Sequence, residues 1–220
     1  MGGAQRRVGA SVTVFVVVGA ILVAMSCVLG WWISSLDEPL AVDTAWNAAM
    51  SELWHPALVG FSRVMNWVGG GWVGVIFVPI GAAIGLIVLR RPWAAAYFLA
   101  AEAASAAGVQ VLKHVFGRVR PEDILVISDY GSYPSGHVAN AATIAVAAVV
   151  IFPRVWVGLI GAAWVVLMAF SRTYLHAHWL SDTVGGALVG AGAALLVAAA
   201  FAVPLLRERP DASSGAAWLG

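Results

Sequence analysis

"YPSGHVANAATIAV", residues 133–146, opens like a loop and continues like the middle of a lipid bilayer. Pro134, Ser135 and Gly136 are turn and helix-start residues, and after Asn140 only Thr143 is polar. His137 stands at the junction, on the lip of an apolar helix. Such a stretch makes sense if the helix spans a membrane and its mouth opens onto a polar site at headgroup depth. The rest of the chain has to be read with that in mind.

The composition agrees. The 220 residues are 61% hydrophobic and 10% charged, whereas a soluble domain carries about 25% charged residues. Apolar runs near 11–33, 72–89, 92–113, 136–152, 155–172 and 179–203 approach the roughly 20 residues that cross a bilayer as helix. The expected fold is therefore all-α and integral to the membrane. It has six transmembrane helices in a single domain, 1–206, followed by a polar, disordered cytoplasmic tail, 207–220. The first run, Ser11 to Ile33, lacks a clear small-residue cleavage site and is read as an uncleaved span.

Between spans one and two, "PALVGFSRVMNWVGG" (56–70) begins with Pro56, a good first helical residue. Its apolar positions 57, 58, 61, 64, 65 and 68 share one side, and Trp54 and Trp67 flank it. This is an amphipathic helix lying in the interface. The single cysteine, Cys27, excludes an intrachain disulfide. A net charge of +1 without a dense basic patch argues against nucleic acid as a partner.

Arginines orient the spans. Arg6, Arg7, Arg90, Arg91, Arg154, Arg207 and Arg209 fall at alternate ends of the six runs, which the positive-inside rule assigns to the cytoplasm. The opposite ends carry Asp37, Glu38, Asp43, Glu52, Glu122, Asp123 and Asp129. Among these acids lie most of the remaining basic residues, Arg63, Lys113, Arg118, Arg120 and Arg172.

Three polar stretches reach this outer side. "KHVFGRVRP" (113–121) closes span three, "PSGH" (134–137) opens span four, and "SRTYLHAHWLSD" (171–182) links spans five and six. Helical rise gives roughly 33 Å from Arg91 to Lys113, 23 Å from His137 to Phe152 and 27 Å from Arg154 to Arg172. All three therefore emerge at one level. Lys113, Arg120 and Arg172 offer donors that suit an oxyanion such as phosphate. Ser135 and Gly136 add the free N–H groups of a helix start. His178 and Asp182, four apart on a helix face, suit a carboxylate that holds one ring nitrogen and leaves the other as a nucleophile. His137 can stand across the phosphorus, as the acid for the leaving oxygen and then the base for water. The substrate implied is a lipid phosphate.

K-x6-R-P, P-S-G-H and S-R-x5-H-x3-D, in this order, resemble the signature of the type 2 phosphatidic acid phosphatase superfamily. Lys113, Arg120 and Pro121, then Pro134 to His137, then Ser171, Arg172, His178 and Asp182 fill all eleven specified positions. The resemblance covers residues 113–182 and implies the family's membrane branch. It implies metal-independent hydrolysis through a phosphohistidine on His178, with His137 as acid and base, Asp182 as orienting partner, and no cofactor. Lys113, Arg120, Ser135, Gly136 and Arg172 would hold the phosphate.

Other residues remain beside that pattern. Glu102 is an ionisable group in mid-span, either functional or a hydrogen-bonded packing residue. His114 and His176 neighbour the motifs as local hydrogen-bonding groups. No Cys/His/carboxylate cluster has metal-ligand spacing; His178 with Asp182 comes nearest, and the surrounding cations would repel an ion. Candidate substrates are undecaprenyl diphosphate, which is favoured, and phosphatidylglycerol phosphate or phosphatidic acid. A vanadate haloperoxidase, similar in the same motifs, fits the six spans poorly. A non-catalytic lipid-phosphate binder or transporter would have no need of both histidines and Asp182.

Overall fold

The computed structural model describes residues 2–208, with side chains from residue 11 onward. Almost all of the expected tail lies outside the described residues. Among those described, the elements are α1 (Gly2–Ser34), α2 (Ala41–Glu52), α3 (Pro56–Gly69), a π-helical turn (Val73–Phe77) and α4 (Val78–Val88). Then follow α5 (Pro92–Phe116), α6 (Gly136–Ile151), α7 (Val155–Tyr174), α8 (Leu180–Ala200) and the short α9 (Ala202–Arg207). The chain is a multi-pass helical membrane protein.

Local chemistry sets several boundaries. Prolines open α3 and α5 at positions where an N–H would have no partner. α5 stops because Gly117 adopts φ +53° and returns its N–H to the Lys113 carbonyl, a left-handed cap that glycine takes without strain. The other end of α5 is held from outside: Glu208 accepts the N–H groups of Trp93 and Ala94 at 2.6 and 2.9 Å.

α8 is the central helix, packed on α1, α5 and α6. Glycines let it approach α6 closely, for a Cβ on Gly190 would lie 2.2 Å from the Ala139 carbonyl oxygen. Toward the Arg91 end, a cluster of Leu86, Tyr97, Phe98, Ile151 and Ala194 forms the core, and the Tyr97 hydroxyl donates to the Ala194 carbonyl. In lipid such contacts gain from close packing more than from water exclusion.

Among the described residues four helices, Ser11–Ser34 of the first, α5, α7 and α8, are long and apolar enough to cross a membrane. Pro56–Gly69 with Val73–Val88 makes a fifth candidate, bent by 46°. Length and composition alone thus give four or five spans where the sequence suggested six. The difference has two causes. α6 has only 16 residues, bounded by its N-cap Ser135 and by Phe152, which precedes Pro153. The run at 72–89 does not stand free, because it leaves α3 through Gly69, Gly70 and Gly71 (φ +56°) and a π-turn. Asn140 repairs that break, its side-chain N–H₂ donating to the carbonyls of Gly69 at 3.3 Å and Gly74 at 2.9 Å. Backbone groups freed inside a membrane need such partners. α2 was not anticipated from the sequence.

Candidate active site

The end of α5, the start of α6, the end of α7 and the start of α8 meet at the end of the bundle opposite Arg91 and Arg154. There a cavity of about 570 Å³ is lined by Lys113, Gly136, His137, Arg172 and His178, with Asp129 also on its wall. Its lining continues along α5 past Gln110 to Glu102 and along the π-turn and α4. Arg120, Ser135 and Asp182 are not among the lining residues but stand in contact with them or with the loops that carry them.

His178 is 3% exposed. Its Nδ1 lies 2.7 Å from the Ser132 carbonyl oxygen. A carbonyl can only accept, so Nδ1 carries the proton and Nε2 keeps its lone pair. Arg120 donates toward that Nε2 at 3.3 Å. Burial, then the nearby Arg172, Arg120 and Lys113, hold the imidazole well below the ordinary value of 6.5. Asp182 Oδ2 is 3.5 Å from Nδ1. The sequence expectation gave Asp182 the ring proton; the shorter bond goes instead to Ser132. Asp182 is drawn away by Arg118, whose NH1 donates to its Oδ1 at 2.6 Å, and by the Trp179 N–H at 2.9 Å.

His137 donates from Nε2 to the Asn66 carbonyl at 3.0 Å. Gly70 makes room for it: a Cβ there would lie 2.2 Å from Nε2. Asn66 also takes Arg172 by its side chain, since Arg172 NH1 donates to Oδ1. α3 is therefore coupled to the site. Ser135 is the N-cap of α6; its N–H donates to the Asp182 carbonyl and its hydroxyl is buried without a partner among the described residues.

Two of the cations share an internal anion. Asp129 Oδ1 accepts from Lys113 at 3.3 Å and from Arg120 at 2.8 Å. Burial alone would raise this carboxyl, but Lys113 and Arg120 outweigh it and hold it below the usual range. The carboxylate occupies donors that a phosphate would need. Asp129→Asn is therefore expected to tighten inorganic phosphate by about fivefold, read as a larger phosphate-induced rise in the thermal midpoint. Unchanged or weaker binding would mean that Asp129 only anchors its loop.

The remaining histidines are locally engaged. His114 Nδ1 donates to the Gln110 carbonyl at 2.7 Å, and His176 Nδ1 lies 2.7 Å from Asn47 Oδ1 and 3.0 Å from Asp123. Glu102 keeps one carboxyl oxygen buried and without a partner among the described residues. Sequence reasoning missed Asn66, Ser132, Asp43 and the pairing of Arg118. The "GRVRP" stretch, with two arginines two residues apart, was the one available signal for Arg118.

Fold and site together define an integral-membrane helical protein with a cavity lined by two histidines, a lysine and an arginine between its helix ends. Residues 94–203, half the chain, match the PAP2 superfamily, and the chain belongs to that superfamily. The crystal structure of a transmembrane PAP2-type phosphatidylglycerolphosphate phosphatase from Bacillus subtilis superposes with a TM-score of 0.70 at 26% identity. The match covers 81% of this chain and 93% of that one. Aquifex aeolicus LpxE shares the fold at TM-score 0.64, 23% identity, and 74% and 98% coverage.

Among curated relatives, an undecaprenyl-diphosphatase of Sulfolobus acidocaldarius is 34% identical over 37% of this chain and 42% of its own length. A lipid A 1-phosphatase of Rhizobium johnstonii is 31% identical over 50% of this chain and 49% of its own. The chain thus spans about half the length of the curated relatives it matches.

Proposed function

We propose that the protein is a lipid phosphate phosphatase that works without a metal and through a phosphohistidine. The observation that carries this reading is the state of His178. Its Nδ1 proton is held by the Ser132 carbonyl, which leaves the lone pair on Nε2, and His178 lines a cavity together with His137, Lys113 and Arg172. In the first step Nε2 forms a bond to phosphorus. The bond from phosphorus to the lipid oxygen breaks, and that oxygen takes a proton from His137. In the second step water attacks the phosphorus and gives a proton to His137. The N–P bond breaks, its electron pair returns to Nε2, and phosphate leaves. Lys113, Arg120 and Arg172, with the N–H groups at Gly136, bear the phosphate charge.

The alternating arginines support six passes, with α3 along the interface, and both termini cytoplasmic. On that arrangement the cavity opens to the outer leaflet of a plasma membrane. The 1–206 stretch then acts as one domain. Undecaprenyl diphosphate is the favoured substrate, with phosphatidylglycerol phosphate and phosphatidic acid as alternatives. Relatives named for the first of these and for lipid A phosphates support the class.

The test is phosphate release by the full chain in detergent with excess chelator, offered the three lipids side by side. Release that persists in chelator is expected; release abolished by chelator would overturn the metal-free mechanism. A pH dependence follows from the depressed His178. Nε2 must be unprotonated to attack, and its pKa lies below 6.5. kcat/KM is therefore expected to hold as pH falls through 6.5 and to fail only further into acid. An acid limb at or above that value would remove His178 from the nucleophile role.

A further inference from the structure

Behind His178 lies a charge network that extends from Asp182 beyond the motif pattern. Asp43, in the first turn of α2, and Asp182, in the first turn of α8, are both buried, at 1% and 0% exposure. Arg118, in the segment after α5, bridges them. Its NH2 donates to Asp43 Oδ2 at 2.7 Å and its NH1 to Asp182 Oδ1 at 2.6 Å. Ser181 closes the ring: its N–H and hydroxyl donate to Asp43 at 2.9 and 2.7 Å, and its oxygen accepts from Arg118 at 2.8 Å. The Arg118 guanidinium also lies 5.6 Å from the centre of the Trp179 ring.

Two carboxylates and one guanidinium leave one uncompensated negative charge. A single arginine facing Asp182 alone would neutralise it; here the guanidinium is divided. That matters because of the ring beside it. When Nε2 bonds to phosphorus and the leaving oxygen departs with its proton, His178 still holds its Nδ1 proton, so the ring becomes formally cationic. Asp182 Oδ2, 3.5 Å from Nδ1, faces that ring.

We propose that Asp43 is a positioning residue that holds the Arg118 guanidinium partly off Asp182 and so keeps the Asp182 charge available to the His178 ring. The proposal rests on the phosphohistidine reading. Asp43 lies outside the segment matched to the superfamily, residues 94–203, so α2 contributes to the chemistry from beyond it. Neither residue is among those lining the cavity, so neither is expected to touch the lipid.

The experiment compares kcat and KM of Asp43→Asn with those of the Asp43→Asn, Arg118→Gln double variant, as full chains in detergent. The substrate is the fastest of the three lipids above. Asp43→Asn cancels the network's charge and is expected to lower kcat by about tenfold to a hundredfold, with KM little changed, as for outer partners of other reactive groups. The double variant restores one net negative charge and is expected to be faster than Asp43→Asn. A purely structural role predicts the reverse, because the double variant loses more bonds.

A double variant slower than Asp43→Asn, or an unaltered kcat in Asp43→Asn, overturns the proposal. Asp43→Glu is the second variant, and by keeping the charge it should retain most of kcat; a loss as large as that of Asp43→Asn also overturns it. His178→Ala separates the two levels. If that variant keeps its turnover the phosphohistidine reading itself fails, whereas an inactive His178→Ala with a slower double variant sinks only the role of Asp43.

Discussion

His178→Ala is expected to lower phosphate release by a factor on the order of 10⁵ while leaving the affinity for inorganic phosphate nearly unchanged. The two halves of this result have separate origins. On the proposed mechanism turnover depends on one lone pair, on Nε2, and alanine supplies no substitute nucleophile. Binding depends on other groups. Lys113, Arg120 and Arg172 come from α5, from the segment after it and from α7, and their backbones do not pass through residue 178. Removing the imidazole frees the Ser132 carbonyl and one Arg120 N–H, which changes local hydrogen bonds without moving the cations' helices. The measurement is paired: single-turnover phosphate release, and the shift in thermal midpoint with added phosphate. Turnover within tenfold of the parent chain would show that another group attacks. Loss of both turnover and binding would mean that His178 holds the site together rather than reacts.

Much of this site was legible because its residues sit at fixed spacings near helix ends. His137 is the second residue of α6, in its first turn, and Lys113 and Arg172 each fall in a last helical turn. Periodicity locates those ends, and helical rise puts them at a common depth. Position on a helix says less about the partner of each group. Asp182 is four residues from His178, as the face argument requires, yet the ring proton goes to Ser132, a backbone carbonyl 46 residues away. Backbone carbonyls leave no trace in side-chain patterns.

The Asp43–Arg118 pair, 75 residues apart, has the same character. An acid in an outer segment reads as solvent-exposed until the fold brings an arginine onto it. Asn66, like Ser62 and Arg63, falls between the apolar positions of α3 and reads from the sequence as polar-facing, yet Ser62 is buried and Asn66 is engaged by Arg172. The bend between α3 and α4 was hidden for another reason. Three successive glycines signal a break, but only the structure supplies Asn140, which makes the break tolerable within lipid.

Arg172→Ala is expected to reduce kcat/KM by about 10²- to 10³-fold, with most of the loss in kcat. Arg172 is 2% exposed and lines the cavity from the last turn of α7. Its NH1 is engaged by Asn66, and its Nε is buried without a partner among the described residues. An unpaired guanidinium N–H in such a place is costly unless something accepts it, and on the proposed mechanism a phosphoryl oxygen in the cavity would be that acceptor. On that mechanism three equatorial oxygens would carry the charge as the phosphoryl group passes to Nε2, and a fixed guanidinium would stabilise that state without reorganising. Asn66 is what fixes it. Lysine at this position keeps the charge but not the fork, so Arg172→Lys should recover only part of the loss. Steady-state kinetics separate the possibilities: a rise in KM at constant kcat would make Arg172 a ground-state anchor. Full recovery in Arg172→Lys would mean that charge alone, and not the orientation set by α3, is what the reaction uses.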